Sequence, residues 1–82
     1  MVLTSLIAFI AKDIVKNKEL MDVIIYYFKM DRVESVRNTE IKEEITGAIQ
    51  VLNSLKSESN NDEATELYDN YIEQMNEIKI NL

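Results

Sequence analysis

Residues 61–82 read NDEATELYDNYIEQMNEIKINL and carry the clearest helical pattern in this sequence of 82 residues. Asn61 is a favourable N-cap, and the acidic residues Asp62 and Glu63 suit the positive end of a helix dipole. Apolar residues then recur at steps of four and three: Ala64, Tyr68, Tyr71, Met75, Ile78 and Leu82. This spacing puts them on one stripe, which predicts a helix over about 61–79 that packs along its length.

The segment before this helix repeats the pattern. Residues 57–61 read SESNN and predict a loop. The apolar residues ahead of the loop again step by four and three: Ile41, Ile45, Ala48, Leu52 and Leu55. They predict a helix over about 39–57, so that the two helices form an antiparallel hairpin. Gly47, the only glycine, costs this helix about 1 kcal/mol relative to alanine, and it either permits a close helix crossing or marks a weak point.

The N-terminal third keeps the same spacing over a longer stretch, from Leu3 to Phe28. An unbroken seam favours one long helix over about 4–30, with Asn17 inside the seam. The alternative breaks the helix at residues 16–18, where Asn17 would be the N-cap of a second short helix. The fold class predicted in either case is all-α: a small helical bundle forming a single domain over residues 1–82.

A single long helix would have a consequence for assembly. At 1.5 Å per residue it would be about 40 Å long, against about 28 Å for each arm of the hairpin. Its apolar end would overhang and would need a second copy to cover it. The residues predicted to mediate this self-association are the first members of the seam: Leu3, Ile7, Ile10, Ile14 and Asn17.

Composition argues against most catalytic chemistry. The sequence has no histidine and no cysteine, so zinc sites with nitrogen or sulfur ligands and Ser-His or Cys-His nucleophiles cannot be built. With one glycine it has no glycine-rich phosphate loop. We therefore expect no enzyme activity, no cofactor and no metal. The apolar stretch 2–11 is too short to cross a bilayer and lacks the features of a signal peptide, which predicts a cytoplasmic protein without a membrane partner.

The charge is negative and unevenly distributed. The net charge is −6, and residues 31–82 carry five basic and twelve acidic side chains. Such a surface disfavours direct binding to nucleic acid and favours a basic protein partner. The candidate docking residues are acidic residues of the last helix together with two residues off the N-terminal seam: Glu66, Asp69, Glu73, Glu77, Tyr26 and Met30. The simpler interpretation of the acidic residues is a solvated face that keeps a small protein in solution.

These observations give two functional hypotheses. In the first, the chain is a non-enzymatic protein-binding module that docks a basic or amphipathic partner through its acidic helix face and exposed apolar positions. Small acidic helical proteins that act in this way include inhibitors, immunity proteins, antitoxins and chaperones, although no motif in this sequence belongs to one of them. In the alternative, the chain is a structural protein whose heptad seams form a homodimer.

Overall fold

The computed structural model describes the backbone of residues 2–31 and 38–81 and the side chains of residues 4–30 and 39–81. Within these residues the chain forms four helices: α1 (Val2–Ala11), α2 (Lys18–Asp31), α3 (Asn38–Glu58) and α4 (Asp62–Ile80). The prediction of a small all-α bundle is therefore confirmed.

Helices α3 and α4 form the predicted hairpin, with bounds one residue from those expected. The Asn61 side chain accepts a hydrogen bond from the backbone N–H of Ala64 at 3.1 Å, so it is the N-cap of α4. The predicted stripes face each other in the core. Their buried members are Ile41, Ile45, Ala48 and Leu52 from α3, and Ala64, Tyr68, Tyr71, Met75 and Ile78 from α4.

The N-terminal unit is two helices, and the preferred prediction of one long helix is wrong. α1 ends at Ala11, residues 12–17 form a turn, and α2 begins at Lys18. Asn17 takes the N-cap position of α2, because its carbonyl oxygen accepts from the Met21 N–H at 3.0 Å. Its side chain, however, turns back and donates from Nδ2 to the carbonyl oxygen of Ile10 at 3.1 Å, which satisfies a group at the end of α1.

Folding back has a physical reason. α1 packs against α3, and α2 packs against α4, so both halves of the seam are buried on the hairpin of the same chain. A straight rod would leave one half in water, at a cost of about 25 cal/mol for each Å² of apolar surface. The seam residues buried in this way are Ile7, Ile10, Ile14, Met21, Ile24 and Phe28.

Gly47 permits the close crossing of α1 and α3. A Cβ atom at this position would lie 3.2 Å from Oγ1 and 3.5 Å from Cγ2 of Thr4, both in the side chain of one α1 residue. A contact of 3.2 Å is shorter than ordinary van der Waals distance, so the glycine lets α1 settle directly on the α3 backbone. Of the two sequence interpretations of Gly47, the structure supports the close crossing.

Candidate protein-binding surfaces

Two buried tyrosines of α4 fix the position of the N-terminal helices. Tyr68 donates a hydrogen bond to the carbonyl oxygen of Ala11, the last residue of α1, at 2.5 Å. Tyr71 donates to Asp22 Oδ1 at 2.8 Å, and its hydroxyl also lies 3.1 Å from the carbonyl oxygen of Lys18, the first residue of α2. α4 therefore holds both helices beside the turn that joins them.

Both hydroxyls stay protonated well into the alkaline range. Burial, together with the negative charge of Asp13, raises the pKa of Tyr68. Burial is also the main reason that the pKa of Tyr71 is raised, and the hydrogen bond to Asp22 and its charge add to the effect. From the sequence, these tyrosines were expected to be core residues with hydroxyls at the rim. Their hydrogen bonds to α1 and α2 come from residues more than 45 positions away and left no sequence signal.

The acidic residues predicted on the last helix lie together on its outer surface. Together with two amide side chains they line one open groove on the surface of α4, called here the acidic groove. Its acidic residues are Glu66, Asp69, Glu73 and Glu77, and its amide residues are Asn70 and Gln74. Helical periodicity places it away from Lys79, which faces a different groove shared with α3 residues. The amide of Gln74 donates to Asn70 Oδ1 at 2.6 Å, so the acidic groove also offers neutral polar groups between the carboxylates.

The carboxylates of the acidic groove are mostly uncompensated. Asp69 makes an ion pair with Lys56 of α3 at 2.5 Å. Both side chains are partly open to water, so this pair stabilises the fold little. Among the residues that the structure describes, Glu66, Glu73 and Glu77 make no ion pair. Three negative charges are thus available to a cation on one surface.

The two apolar docking candidates are exposed on α2. Tyr26 is 63% and Met30 55% exposed. Tyr26 follows Asp22 by one helical turn, and Asp22 is hydrogen-bonded to Tyr71, so Tyr26 lies on the flank of α2 nearest α4. Met30, one turn further along, lies on the solvent-facing crest of α2, between this flank and the opposite one. Their exposure agrees with a role at an interface, which the structure does not test.

The residues predicted to mediate self-association are placed differently from the expectation. Ile7, Ile10 and Ile14 are at most 5% exposed, because the chain covers them with its own helices. Asn17 is half-buried and bonded to Ile10, and the side chain of Leu3 lies outside the described residues. A homodimer stays a prediction, but the described part of this seam cannot be its interface without opening the core.

Other large apolar side chains are left in water on α1 and α2. Besides Tyr26 and Met30, the described residues of this kind on these helices are Leu6, Phe9, Leu20, Val23 and Tyr27, with exposed fractions of 42% to 76%. These five residues were not predicted from the sequence to form one surface. The available signal was a second stripe at heptad spacing on α2, formed by Leu20, Val23, Tyr27 and Met30.

Metal sites and membrane-spanning helices are two further features for which the described residues give a result. Over residues 2–31 and 38–81, no group of three or more acidic, histidine or cysteine side chains is placed to hold a metal ion. None of the helices in the same residues combines the length and the hydropathy that crossing a bilayer requires.

Comparison with known proteins gave no relative. No protein-family model matches the chain, and neither the curated proteins nor the solved structures gave a match. The function of this small helical bundle must therefore be inferred from its own surfaces.

Proposed function

We propose that this chain is a non-enzymatic protein-binding module that docks a basic or amphipathic partner protein on the acidic groove of α4. The observation that carries this proposal is the alignment of Glu66, Glu73 and Glu77 along one groove. Within the part of the chain that the structure describes, none of the three makes an ion pair. Spacings of seven and four residues keep these three carboxylates on the same side of the helix. Lysine or arginine side chains of a partner would supply the missing positive charges.

Electrostatics sets what such a groove contributes. Exposed charges add modest affinity but accelerate encounter and reject acidic competitors. Tyr26, on the flank of α2 nearest α4, and Met30, on the solvent-facing crest of the same helix, add apolar contact area of the kind that interfaces favour. A partner with a basic face and an apolar edge therefore fits this side of the molecule better than a purely basic one.

The proposal extends to class and location. A small acidic bundle that occupies a cationic surface would act as an inhibitor, as an immunity-like or antitoxin-like protein, or as a chaperone. We place it in the cytoplasm. Ile7, Ile10 and Ala11 of the apolar N-terminal segment are buried, so this segment contributes to the core of the bundle.

Charge reversal tests the proposal. The triple variant Glu66→Lys, Glu73→Lys and Glu77→Lys should lose at least about 90% of the partner captured from a cell lysate, since each reversal replaces attraction by repulsion. The matched control reverses three exposed acids outside α2 and α4, Asp13→Lys, Glu43→Lys and Glu58→Lys, and has the same net charge. Mass spectrometry quantifies the captured proteins, and circular dichroism checks that both variants keep their helices.

Photo-crosslinking locates the contact. A benzoylphenylalanine at Asn70 in the acidic groove should form a covalent adduct with a basic protein, and the same group at Asn53, exposed on α3, should not. Equal loss of capture in both charge-reversal variants would reduce the effect to net charge. Unchanged capture by the triple variant, or adducts at Asn53 alone, would contradict the proposal.

A further inference from the structure

α1 and α2 each carry a second apolar stripe beside the buried one. On α1, Leu6 and Phe9 directly precede the buried residues Ile7 and Ile10 in sequence, and they are 46% and 76% exposed. On α2, the stripe Leu20, Val23, Tyr27 and Met30 follows steps of three and four residues. Its members are 50%, 63%, 42% and 55% exposed. These six residues together are called the apolar face.

Both stripes lie on the same side of the molecule. On α1, Thr4 marks the flank that contacts α3, because it packs against Gly47. On α2, Asp22 marks the flank that contacts α4, because it accepts a hydrogen bond from Tyr71. Helical periodicity puts the exposed stripes toward the opposite flank of each helix, where α1 and α2 adjoin, with Met30 at the edge on the crest of α2. The apolar face is therefore one continuous surface over the α1–α2 hairpin.

Little charge borders the apolar face. α1 contains no ionisable side chain. Of the charged residues of α2 with described side chains, Lys18, Asp22 and Lys29 lie nearer α4, and Glu19 borders the apolar face one helical turn before Val23. The chain as a whole carries a net charge of −6, so two copies repel each other over most of their surfaces. The apolar face is where they can meet with the fewest like charges brought together.

The area matches what a dimer requires. An aromatic side chain has about 150–250 Å² of surface and an aliphatic one somewhat less, so the observed fractions leave on the order of 600 Å² of these six residues in water. Two copies would cover on the order of 1,200 Å², at the lower end of the range of about 1,200–2,000 Å² that stable interfaces bury. Left open, this area lies at the upper end of the largest apolar patches of typical monomers, about 300–600 Å².

We infer that the apolar face is the interface of a symmetric homodimer, in which the α1–α2 hairpins of two copies pack against each other. The occupant is a second copy of this chain, and the contact is isologous because the same six residues come from both copies. This interface differs from the buried seam that the sequence suggested. It does not involve the acidic groove of α4 and does not rest on the proposed function; the two surfaces share only Met30, at the edge of the apolar face.

A matched pair of lysine substitutions tests the interface. Phe9 is 76% exposed on the apolar face, and Ile80 is 82% exposed at the end of α4. The wild-type chain and Ile80→Lys should sediment as dimers with similar dissociation constants. Phe9→Lys should raise the dissociation constant by about 100-fold or more, because each dimer loses two rings and gains two facing cations. Both side chains are open to water in the monomer, so helicity should stay unchanged in both variants.

Cysteine crosslinking gives a second measurement. The sequence has no cysteine of its own, so only the introduced thiol can form a disulfide. Val23→Cys should oxidise to a covalent dimer at dilutions where Ile80→Cys stays monomeric. A wild-type chain that is monomeric at every concentration would overturn the inference, as would a dimer that tolerates Phe9→Lys and fails to crosslink through Val23→Cys. A monomer that pellets with phosphatidylcholine vesicles would instead assign the apolar face to lipid, and that result would also overturn the dimer.

Discussion

At the scale of single residues, the fold depends on a few polar groups that end one helix and position the next. The Nδ2 group of Asn17 and the hydroxyl of Tyr68 reach the last two carbonyl groups of α1, at Ile10 and Ala11. An unpaired buried carbonyl costs about 1–3 kcal/mol. The carbonyl oxygen of Ile10 also accepts from the Asp13 N–H at 3.3 Å. Together these hydrogen bonds offset the cost of ending α1 where the seam would otherwise allow it to continue.

Tyr71 predicts a loss of stability at alkaline pH. Its pKa is raised in the folded chain, chiefly by burial and then by Asp22, while the unfolded chain keeps the ordinary value of 10.0. The folded state therefore holds this proton more tightly, and its contribution is complete below pH 10 and is lost as the pH rises further. The free energy of unfolding should fall above pH 10, by up to about 1.4 kcal/mol per pH unit for this group.

Urea denaturation from pH 8 to pH 11.5 measures this dependence. Tyr71→Phe is the comparison variant, because it keeps the ring and removes the titrating hydroxyl. It should be less stable than wild type at pH 8, by about 1–2 kcal/mol, and should show a shallower decline above pH 10. All other side chains are the same in both proteins, so only the difference between the two curves is diagnostic. Parallel curves would show that Tyr71 is not linked to folding.

At the scale of helices, the packing of α1 on α3 depends on one glycine. Gly47 lowers the stability of α3 because glycine is conformationally flexible. The same glycine lets Thr4 of α1 approach the α3 backbone closely, which offsets that loss. The helix therefore gives up local propensity for a tertiary contact. α1 is short and has no ionisable side chain, so it is held by this contact, by the core and by the hydrogen bonds at its C-terminal end.

A double-mutant cycle measures the coupling free energy between Gly47 and Thr4 at this crossing. Gly47→Ala alone gains helix propensity and meets Thr4 at 3.2 Å, so the two effects should largely cancel. In the background of Thr4→Ala, which removes both contacting atoms, the same change should stabilise the protein by about 1 kcal/mol. Thermal or urea unfolding of the four proteins gives the coupling between the two sites. Equal effects of Gly47→Ala in both backgrounds would mean that Thr4 does not restrict this site.

At the scale of the whole molecule, the two helical pairs stack into a body of 40 × 21 × 19 Å. One side of this body is acidic and another is apolar. α4 presents the acidic groove, and the α1–α2 hairpin presents the apolar face. α2 separates the two surfaces. Met30 lies on the crest of this helix, where the flank of Tyr26 and the apolar face meet. A dimer formed on the apolar face would leave both acidic grooves open to partners.

This arrangement predicts that the two surfaces act independently. Phe9→Lys should dissociate the dimer and leave capture by the acidic groove unchanged for each chain. The triple reversal of Glu66, Glu73 and Glu77 should abolish capture and leave the dimer intact. Sedimentation and quantitative capture on the combined variant should show additive losses, since effects at separate sites usually add within about 0.5 kcal/mol. Loss of partner binding on dissociation alone would show that the bound state needs both copies.

Sequence by itself determined the helical class, the α3–α4 hairpin, the Asn61 cap and the grouping of the acids on α4. Each of these depends on local spacing: a cap requires a side chain three residues from its amide, and a stripe requires steps of three and four. The heptad seam of the N-terminal third also predicted residues that are buried in the core of the structure, including Ile7, Ile14 and Phe28.

Tertiary structure alone decided that this seam folds back at residues 12–17 and that the exposed apolar surface lies on the neighbouring stripe. Spacing shows which residues share a side of a helix, but not which other element covers that side. The turn depends on packing against α3 and α4 and on hydrogen bonds from α4 tyrosines to Ala11, Lys18 and Asp22, which lie 49 to 57 positions away. Contacts at that range leave no periodic trace in the sequence.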